Sequence, residues 1–179
     1  KSVFAGYYKK EEATKEAFTD GWFHTGDEGF MDDLGNLTMT DRIRDMMKTS
    51  SGKFVSPQKL ELILGQDELV EQIIVVGDNK PFVSAIVVPA MAKLKDFAQQ
   101  NNIAIDDEAN LATNPELISL IEKRFESIQQ TLTPYERVVR VAMLPKPFSI
   151  ENGTMTNTLK LRRRMIEKSH KEIIDRMYA

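Results

Sequence analysis

Two runs of apolar, largely β-branched residues constrain this chain more than anything else in it: "EQIIVVGD" (71–78) and "FVSAIVVP" (82–89). Only "NKP" (79–81) separates them. Continuous apolar stretches of this length, bounded by turn residues, predict paired strands of one largely buried sheet. A buried sheet needs covering elements, so the remaining sequence has to supply helices.

It supplies them with clear punctuation. In "SPQKLELILG", Ser56 is placed to cap, Pro57 sits at the first helical position and Gly65 stops the helix. "AMAKLKDFAQQN" reads as a second helix and "IAIDDEANLAT" as a loop. Asn114 and Pro115 then open a third helix, with apolar positions at Leu117, Ile121, Phe125, Ile128 and Leu132. "YERVVRVAMLP" predicts another strand and "KPFSIENGTMTNT" a polar loop. A final helix runs to Met177, its apolar positions being Leu161, Met165, Ile166, Ile173 and Met177. The expected fold is α+β, a small β-sheet covered by helices. Ahead of it, "EEATKEAFTD" suggests a short helix, and "GWFHT" and "GNLTMT" suggest strands of a hairpin with "DDLGN" nearby as a turn. The character of the sequence changes at "TDRIRD", which divides it into residues 1–41 and 42–179.

Composition narrows the function classes. The net charge is -3 over 179 residues, against a general nucleic-acid coat. There is no cysteine, which excludes disulfides, thiol nucleophiles and thiolate metal sites. The two histidines, His24 and His170, lie far apart, which argues against a histidine-rich metal site. No apolar run approaches the roughly 20 residues of a membrane span, and no secretory signal is visible. "DDLGN" lacks calcium-loop spacing, and the nine methionines read as core filler. The chain starts at Lys1 in already patterned sequence and is expected to be a piece of something longer.

Three stretches carry candidate chemistry. In "DGWFHTGDEG", Asp27 lies between Gly26 and Gly29. A carboxylate at such a turn can accept both hydroxyls of a ribose, although T-G-D is short and common and taken alone reads first as an Asx-type turn in a hairpin. In "TDRIRDMMKTSSGKFVSPQKLE", Lys48, Gly52 and Lys53 surround a loop that lets a ligand chain pass close to the backbone. It lacks P-loop spacing, and a solvated connection between strands accounts for it too. In an extended segment Arg42 and Arg44 point to one side and Ile43 to the other. In "NGTMTNTLKLRRR", Lys160 ends a Thr/Asn-rich loop, and Arg162, Arg163 and Arg164 fall in the first turn of the last helix. Cations at that positive dipole end cost about 0.3–1 kcal/mol each. They read either as an anion site or as a solvated basic face.

In this order the three motifs resemble the last third of the adenylate-forming enzymes, above all the long-chain fatty acid–CoA ligases. Most of that superfamily ends in a P-K-T-x-x-G-K-type loop. The long-chain ligases carry something like L-T-P-T-L-K-L-K-R, and "MTNTLKLRRR" is similar to it. Their T-S-G-G-K loop resembles "TSSGK", and the helical stretch before "LTPYERV" fits them as well. The likeness covers essentially the whole chain. Ser51 stands where glycine is usual, Asn157 where proline is usual, and Arg44 where many relatives have Lys or Asp.

The resemblance implies two reaction steps. Fatty acid and ATP give an acyl adenylate and pyrophosphate, and coenzyme A then displaces AMP to give acyl-CoA. It further implies that Asp27 holds the ribose hydroxyls with Arg42 assisting, and that Lys160 is the catalytic lysine of the first step. Arg44 would be the hinge of a rotating C-terminal domain. Lys48 would serve the thioester step, with Ser51, Gly52 and Lys53 beside the coenzyme A path. The arginines after Lys160 would face coenzyme A phosphates, carboxylates of the other domain, or solvent. Residues 1–41 would be the tail of an N-terminal AMP-binding domain that also carries the Mg2+ ligands, no metal being expected in this chain. Alone, the chain is expected to be inactive. The implied partners are fatty acid, ATP, CoA and the chain's own N-terminal domain, with no nucleic acid. A cytoplasmic setting follows, with peripheral membrane association compatible with it. Medium-chain or aryl acid ligases are alternatives within the class, and a non-catalytic module binding anions or nucleic acid is the alternative outside it.

Overall fold

A computed structural model describes residues 3–42, 45–104 and 108–179, with backbone alone at 40–42 and 108–109. Two compact units result, Lys1–Asp45 and Met46–Ala179. Among the described residues no helix is long and apolar enough to cross a membrane.

The first unit holds a short helix α1 (Glu11–Ala17) and two hairpins. Strand β1 (Phe18–Thr19) pairs with β2 (Trp22–Phe23) across the Asp20-Gly21 turn, where both residues take positive φ. Strand β3 (Asp27–Met31) pairs antiparallel with β4 (Leu37–Arg42). The expected pairing of "GWFHT" with "GNLTMT" is therefore corrected. "GWFHT" turns back on Phe18 and Thr19, and "DEGFM" is the true partner of the second run. The turn at 32–36 is built by Asp32, whose carboxylate accepts from the amides of Leu34 (3.0 Å) and Asn36 (2.8 Å). Phe4, Phe18 and Phe23 form a small aromatic cluster with centroids 5.2–5.6 Å apart.

The second unit is built on a three-stranded sheet. Strand β5 (Met47–Lys48) and β6 (Phe54–Val55) form a small separate hairpin, followed by α2 (Pro57–Leu64). Ser56 caps α2 by accepting from the amide of Lys59 at 3.2 Å. Strands β7 (Val70–Val76) and β8 (Val83–Pro89) are antiparallel, and β9 (Val138–Met143) runs parallel to β8 on its other side. The parallel connection needs a long crossover. It contains α3 (Met91–Gln100), a 3-10 segment (Glu108–Thr113) and α4 (Pro115–Ile128). Asn114 caps α4, accepting from the amides of Glu116 and Leu117. The stretch read as a loop before α4 thus contains a 3-10 turn.

The sheet is covered on both faces, which is why its strands read as unbroken apolar runs. Ile73, Val75, Ala85 and Val87 join Leu60, Leu94, Ile121 and Phe125 in one buried cluster. Alternate residues Ile74, Val76, Ile86 and Val88 join Phe148, Ile166 and Ile174 in a second cluster. Each fully buried Leu, Ile or Phe contributes about 1.5–3 kcal/mol, so both layers are needed.

The last helix departs from expectation. It is split into α5 (Arg163–Ser169) and α6 (Lys171–Met177), with His170 at φ -113, ψ 24 between them. On one straight helix, positions eight apart diverge by about 80°. The bend lets both Ile166 and Ile174 reach the sheet, at 0% and 8% exposure. It also sets the His170 ring edge-on to Phe148.

Candidate functional site

In the first unit, Thr25 and Gly26 form the entry to β3, with Gly26 at φ +78. The Asp27 amide donates to the Thr25 hydroxyl at 3.1 Å. Asp27 opens β3 and is half-buried. Its register partner is Arg42, at the far end of β4. The hairpin thus brings together two residues expected to act on one ribose, though they are 15 positions apart in sequence. A bulge follows between Glu28 and Gly29, and a side chain at Gly29 would meet the Thr38 carbonyl at 2.7 Å. Arg44, the expected hinge, lies outside the described residues.

In the second unit, the stretch before Lys160 is far from a loose loop. Ser149 N–H donates to Asn152 Oδ1 (3.1 Å) and Thr154 Oγ1 (2.9 Å), while Thr154 and Met155 amides return to the Ser149 carbonyl at 3.1 and 3.0 Å. Gln72 of β7 fastens this knot to the sheet. Its amide accepts from Phe148 N–H at 2.6 Å and donates to Phe148 C=O at 3.1 Å.

From that base rises a tight hairpin. Met155 and Leu161 form an isolated antiparallel bridge, and Thr156 N–H donates to Lys160 C=O at 2.8 Å. Lys160 N–H donates to the Thr156 hydroxyl at 3.1 Å and Leu159 N–H to the Thr156 carbonyl at 2.9 Å. Lys160 sits exposed at this tip, and its ammonium makes no ion pair among the described residues. Leu159 beside it is 68% exposed and has φ +58. A left-handed backbone costs a leucine about 1–2 kcal/mol.

The three arginines do not act as one group. Arg163 donates to Glu61 Oε1 of α2 at 2.6 Å and to the Val75 carbonyl, and the same Glu61 oxygen accepts from Val75 N–H at 2.8 Å. β7 is an edge strand, so Glu61 and Arg163 together satisfy Val75's backbone groups on its open side. Arg162 precedes the helix and donates to the Gly153 carbonyl at 3.3 Å. The expectation that all three face phosphates, another domain or solvent is corrected for Arg163, which is committed to its own sheet. Only a carboxylate 102 residues away in sequence reveals this role. Glu167, one turn into α5, has its carboxyl pushed above the ordinary range, first by burial and then by Asp78, against Arg163 and Arg164.

The β5–β6 hairpin is tied to the other end of β7. Lys48 N–H donates to Asp78 Oδ1 (3.1 Å), Lys48 C=O accepts from Asn79 N–H (2.8 Å), and Ser50 N–H donates to Lys80 C=O (2.9 Å). The loop closes on Thr49, whose carbonyl accepts from Gly52 N–H at 2.9 Å and whose hydroxyl lies 2.9 Å from Ser51 Oγ. Gly52 is at φ +83, the conformation glycine supplies. The Lys48 ammonium lies 5.5 Å from the Phe54 ring centroid and that of Lys53 5.7 Å from Tyr135. With a rise of about 3.3 Å per residue, Gln72 in β7 and Gly77 just past its end stand roughly 16 Å apart. The structure thus gathers Lys48, Ser51, Gly52 and Lys53 at one end and anchors the Lys160 hairpin toward the other. No group of three or more His, Asp or Glu side chains able to hold a metal occurs among the described residues.

A helix-covered sheet bearing an exposed lysine on a tethered hairpin is the class found at the C-terminus of adenylate-forming enzymes. The chain belongs to that family: residues 44–179 match the AMP-binding enzyme C-terminal domain. It is 36% identical over 177 residues to the long-chain-fatty-acid–CoA ligase FadD15 of Mycobacterium tuberculosis, covering 98% of this chain and 30% of that protein. It is 37% identical over 179 residues to long chain acyl-CoA synthetase 1 of Arabidopsis thaliana, covering 98% of this chain and 27% of that protein. The chain therefore spans under a third of the length of these relatives. Among solved structures, the A domain of carboxylic acid reductase from Segniliparus rugosus, in complex with AMP and a co-purified carboxylic acid, superposes with a TM-score of 0.79. That match has 27% identity and covers 98% of this chain and 26% of that one.

Proposed function

We propose that this chain is the C-terminal portion of an ATP-dependent long-chain fatty acid–CoA ligase. In this reading residues 1–41 complete an N-terminal AMP-binding domain and 42–179 form a mobile domain that turns about Arg44. The observation that carries it is the tethered Lys160 hairpin, in a chain whose curated relatives of 32–37% identity include several long-chain acyl-CoA ligases.

Asp27 and Arg42, paired across the hairpin, take the ribose hydroxyls. During adenylation the Lys160 ammonium stabilises negative charge on the phosphoryl oxygens as pyrophosphate leaves. The hydrogen-bonded hairpin fixes its backbone, so only the side chain has to be ordered. Lys48, Ser51, Gly52 and Lys53 then line the path of the coenzyme A thiol, which attacks the acyl carbonyl and expels AMP. Because the two loops are anchored at opposite ends of β7, one substrate meets them in turn, which supports a rotation between steps. The magnesium that accompanies ATP neutralises phosphate charge, and none of this chain's residues is assigned to it. Alone, the chain neither binds ATP tightly nor turns over.

The test is Lys160→Ala in the full-length enzyme, followed in two half-reactions. Fatty-acid-dependent pyrophosphate exchange is expected to fall by about 10² or more, while thioester formation from supplied acyl adenylate is largely kept. Intact exchange refutes the assignment. A second reading, the adenylation domain of a carboxylic acid reductase, is favoured by the 27–28% identical structural neighbours. Adenylation without CoA-dependent release of AMP would select it.

A further inference from the structure

The three-residue loop between Thr156 and Lys160, closed by Leu159 N–H on the Thr156 carbonyl and Thr156 N–H on the Lys160 carbonyl, sets its last residue in the left-handed region, but nothing in the hairpin calls for a leucine there. Five non-glycine residues among those described have positive φ: Lys9, Asp20, Asn79, Asn102 and Leu159. Asn and Asp tolerate that region through local hydrogen bonds from short polar side chains. Leucine gains nothing of the kind, and glycine would adopt φ +58 without strain. Nor does packing within the unit explain the residue. Its neighbours along the hairpin, Met155 and Leu161, lie against the second buried cluster, whereas Leu159 is 68% exposed among Thr156, Asn157 and Thr158. A leucine kept at a left-handed position with most of its side chain exposed points to work done elsewhere.

We infer that Leu159 is a positioning residue for Lys160, docking its side chain on the apolar wall of the acyl-adenylate pocket in the larger domain. This rests on the proposed function, which places the remaining two-thirds of the relatives' length opposite this hairpin during adenylation. The bonds from Leu159 N–H to Thr156 C=O and from Thr156 N–H to Lys160 C=O make the tip one rigid piece. Seating Leu159 therefore fixes the base of the Lys160 side chain, whose four methylenes otherwise sample many rotamers. A contact made only in the docked arrangement acts on the adenylation rate and leaves the thioester step alone.

The experiment compares Leu159→Asn, Leu159→Gly and Leu159→Met in the full-length enzyme, with Lys160→Ala alongside. Asn and Gly accept the left-handed backbone and lose the apolar side chain, and Met keeps an apolar side chain of similar volume. Asn and Gly are expected to lower kcat for pyrophosphate exchange about ten- to hundredfold. The thermal midpoint stays at or above wild type, and thioester formation from supplied acyl adenylate stays within about twofold. Met restores most of the exchange. Wild-type exchange in Leu159→Asn, with Lys160→Ala inactive, overturns this inference and leaves the proposed function standing. Exchange lost together with thermal stability, or not restored by Met, also overturns it. Exchange that survives Lys160→Ala overturns the proposed function itself.

Discussion

Removing the Glu61 carboxylate tests whether Arg163 is a structural residue or a member of an anion site. Glu61 Oε1 accepts from Val75 N–H at 2.8 Å and from Arg163 at 2.6 Å. Val75 is fully buried, so in Glu61→Ala its amide loses its protein partner. That loss costs about 1–3 kcal/mol. The ion pair adds only about 1 kcal/mol, because its side chains are 27% and 18% exposed and partly screened. The sum is about 2–4 kcal/mol, or a drop of roughly 6–16 °C in midpoint at about 3–4 °C per kcal/mol for a domain of this size. Glu61→Gln keeps an acceptor for Val75 N–H and loses only the charge, so it should drop by about 3–4 °C. Circular dichroism of the 179-residue chain, with hydrogen exchange at Val75, measures both. The reasoning is refuted if Glu61→Ala is no less stable than Glu61→Gln, or if Val75 exchange is unchanged.

Four further outcomes are expected. Gln72→Leu deprives Phe148 of both backbone partners, costs about 1–2 kcal/mol, and speeds hydrogen exchange from Phe148 to Lys160. Burial holds the His170 pKa below its ordinary 6.5, so its contribution to stability is present above pH 6.5 and is lost as pH falls through the depressed value. Urea midpoints measured downward from pH 7 should flatten in His170→Asn. Glu167 has the opposite sign: its carboxyl is raised, chiefly by burial, so stability is lost as pH climbs above the ordinary 4.5. Glu167→Gln should therefore stabilise the second unit at pH 7 and not at pH 4, by the same urea titrations. Gly52→Ala meets only Lys48 Cε at 4.0 Å, so its cost is the left-handed backbone, about 1–2 kcal/mol. In the full-length enzyme it should slow thioester formation more than pyrophosphate exchange, as stopped-flow assays of each half-reaction would reveal.

Most of the second unit was legible because its signals are local. Ser56 and Asn114 announce α2 and α4 through caps the structure reproduces. The unbroken runs at 71–78 and 82–89 announce a sheet with two covered faces. What failed to show was non-local or balanced. "GWFHT" has strand composition, and nothing near it says that Phe18 and Thr19 will be its partner. The last helix has one period throughout, and its break at His170 answers a tertiary demand, that Ile166 and Ile174 meet the same sheet. The arginine run looked like a single cluster because sequence carries no trace of Glu61 reaching across from α2. The candidate site divides in the same way. Lys160, Gly52 and Asp27 stand out through the resemblance of their motifs to those of the family, while the left-handed backbone of Leu159 is invisible until φ is known.

The anchoring of both loops on one strand has a consequence for how such a domain diversifies. Gln72 lies in β7 and Asp78, Asn79 and Lys80 in the turn that directly follows it, yet the hydrogen bonds holding each loop are separate sets, with no residue common to both. β7 behaves as a tool-holder with two sockets. Under the proposed function, a change in the acyl acceptor is accommodated by rebuilding the Thr49–Gly52 end while the Lys160 end stays untouched, and the reverse holds as well. Such independence would let one small domain of the proposed kind change its thiol acceptor without relearning how to activate an acid.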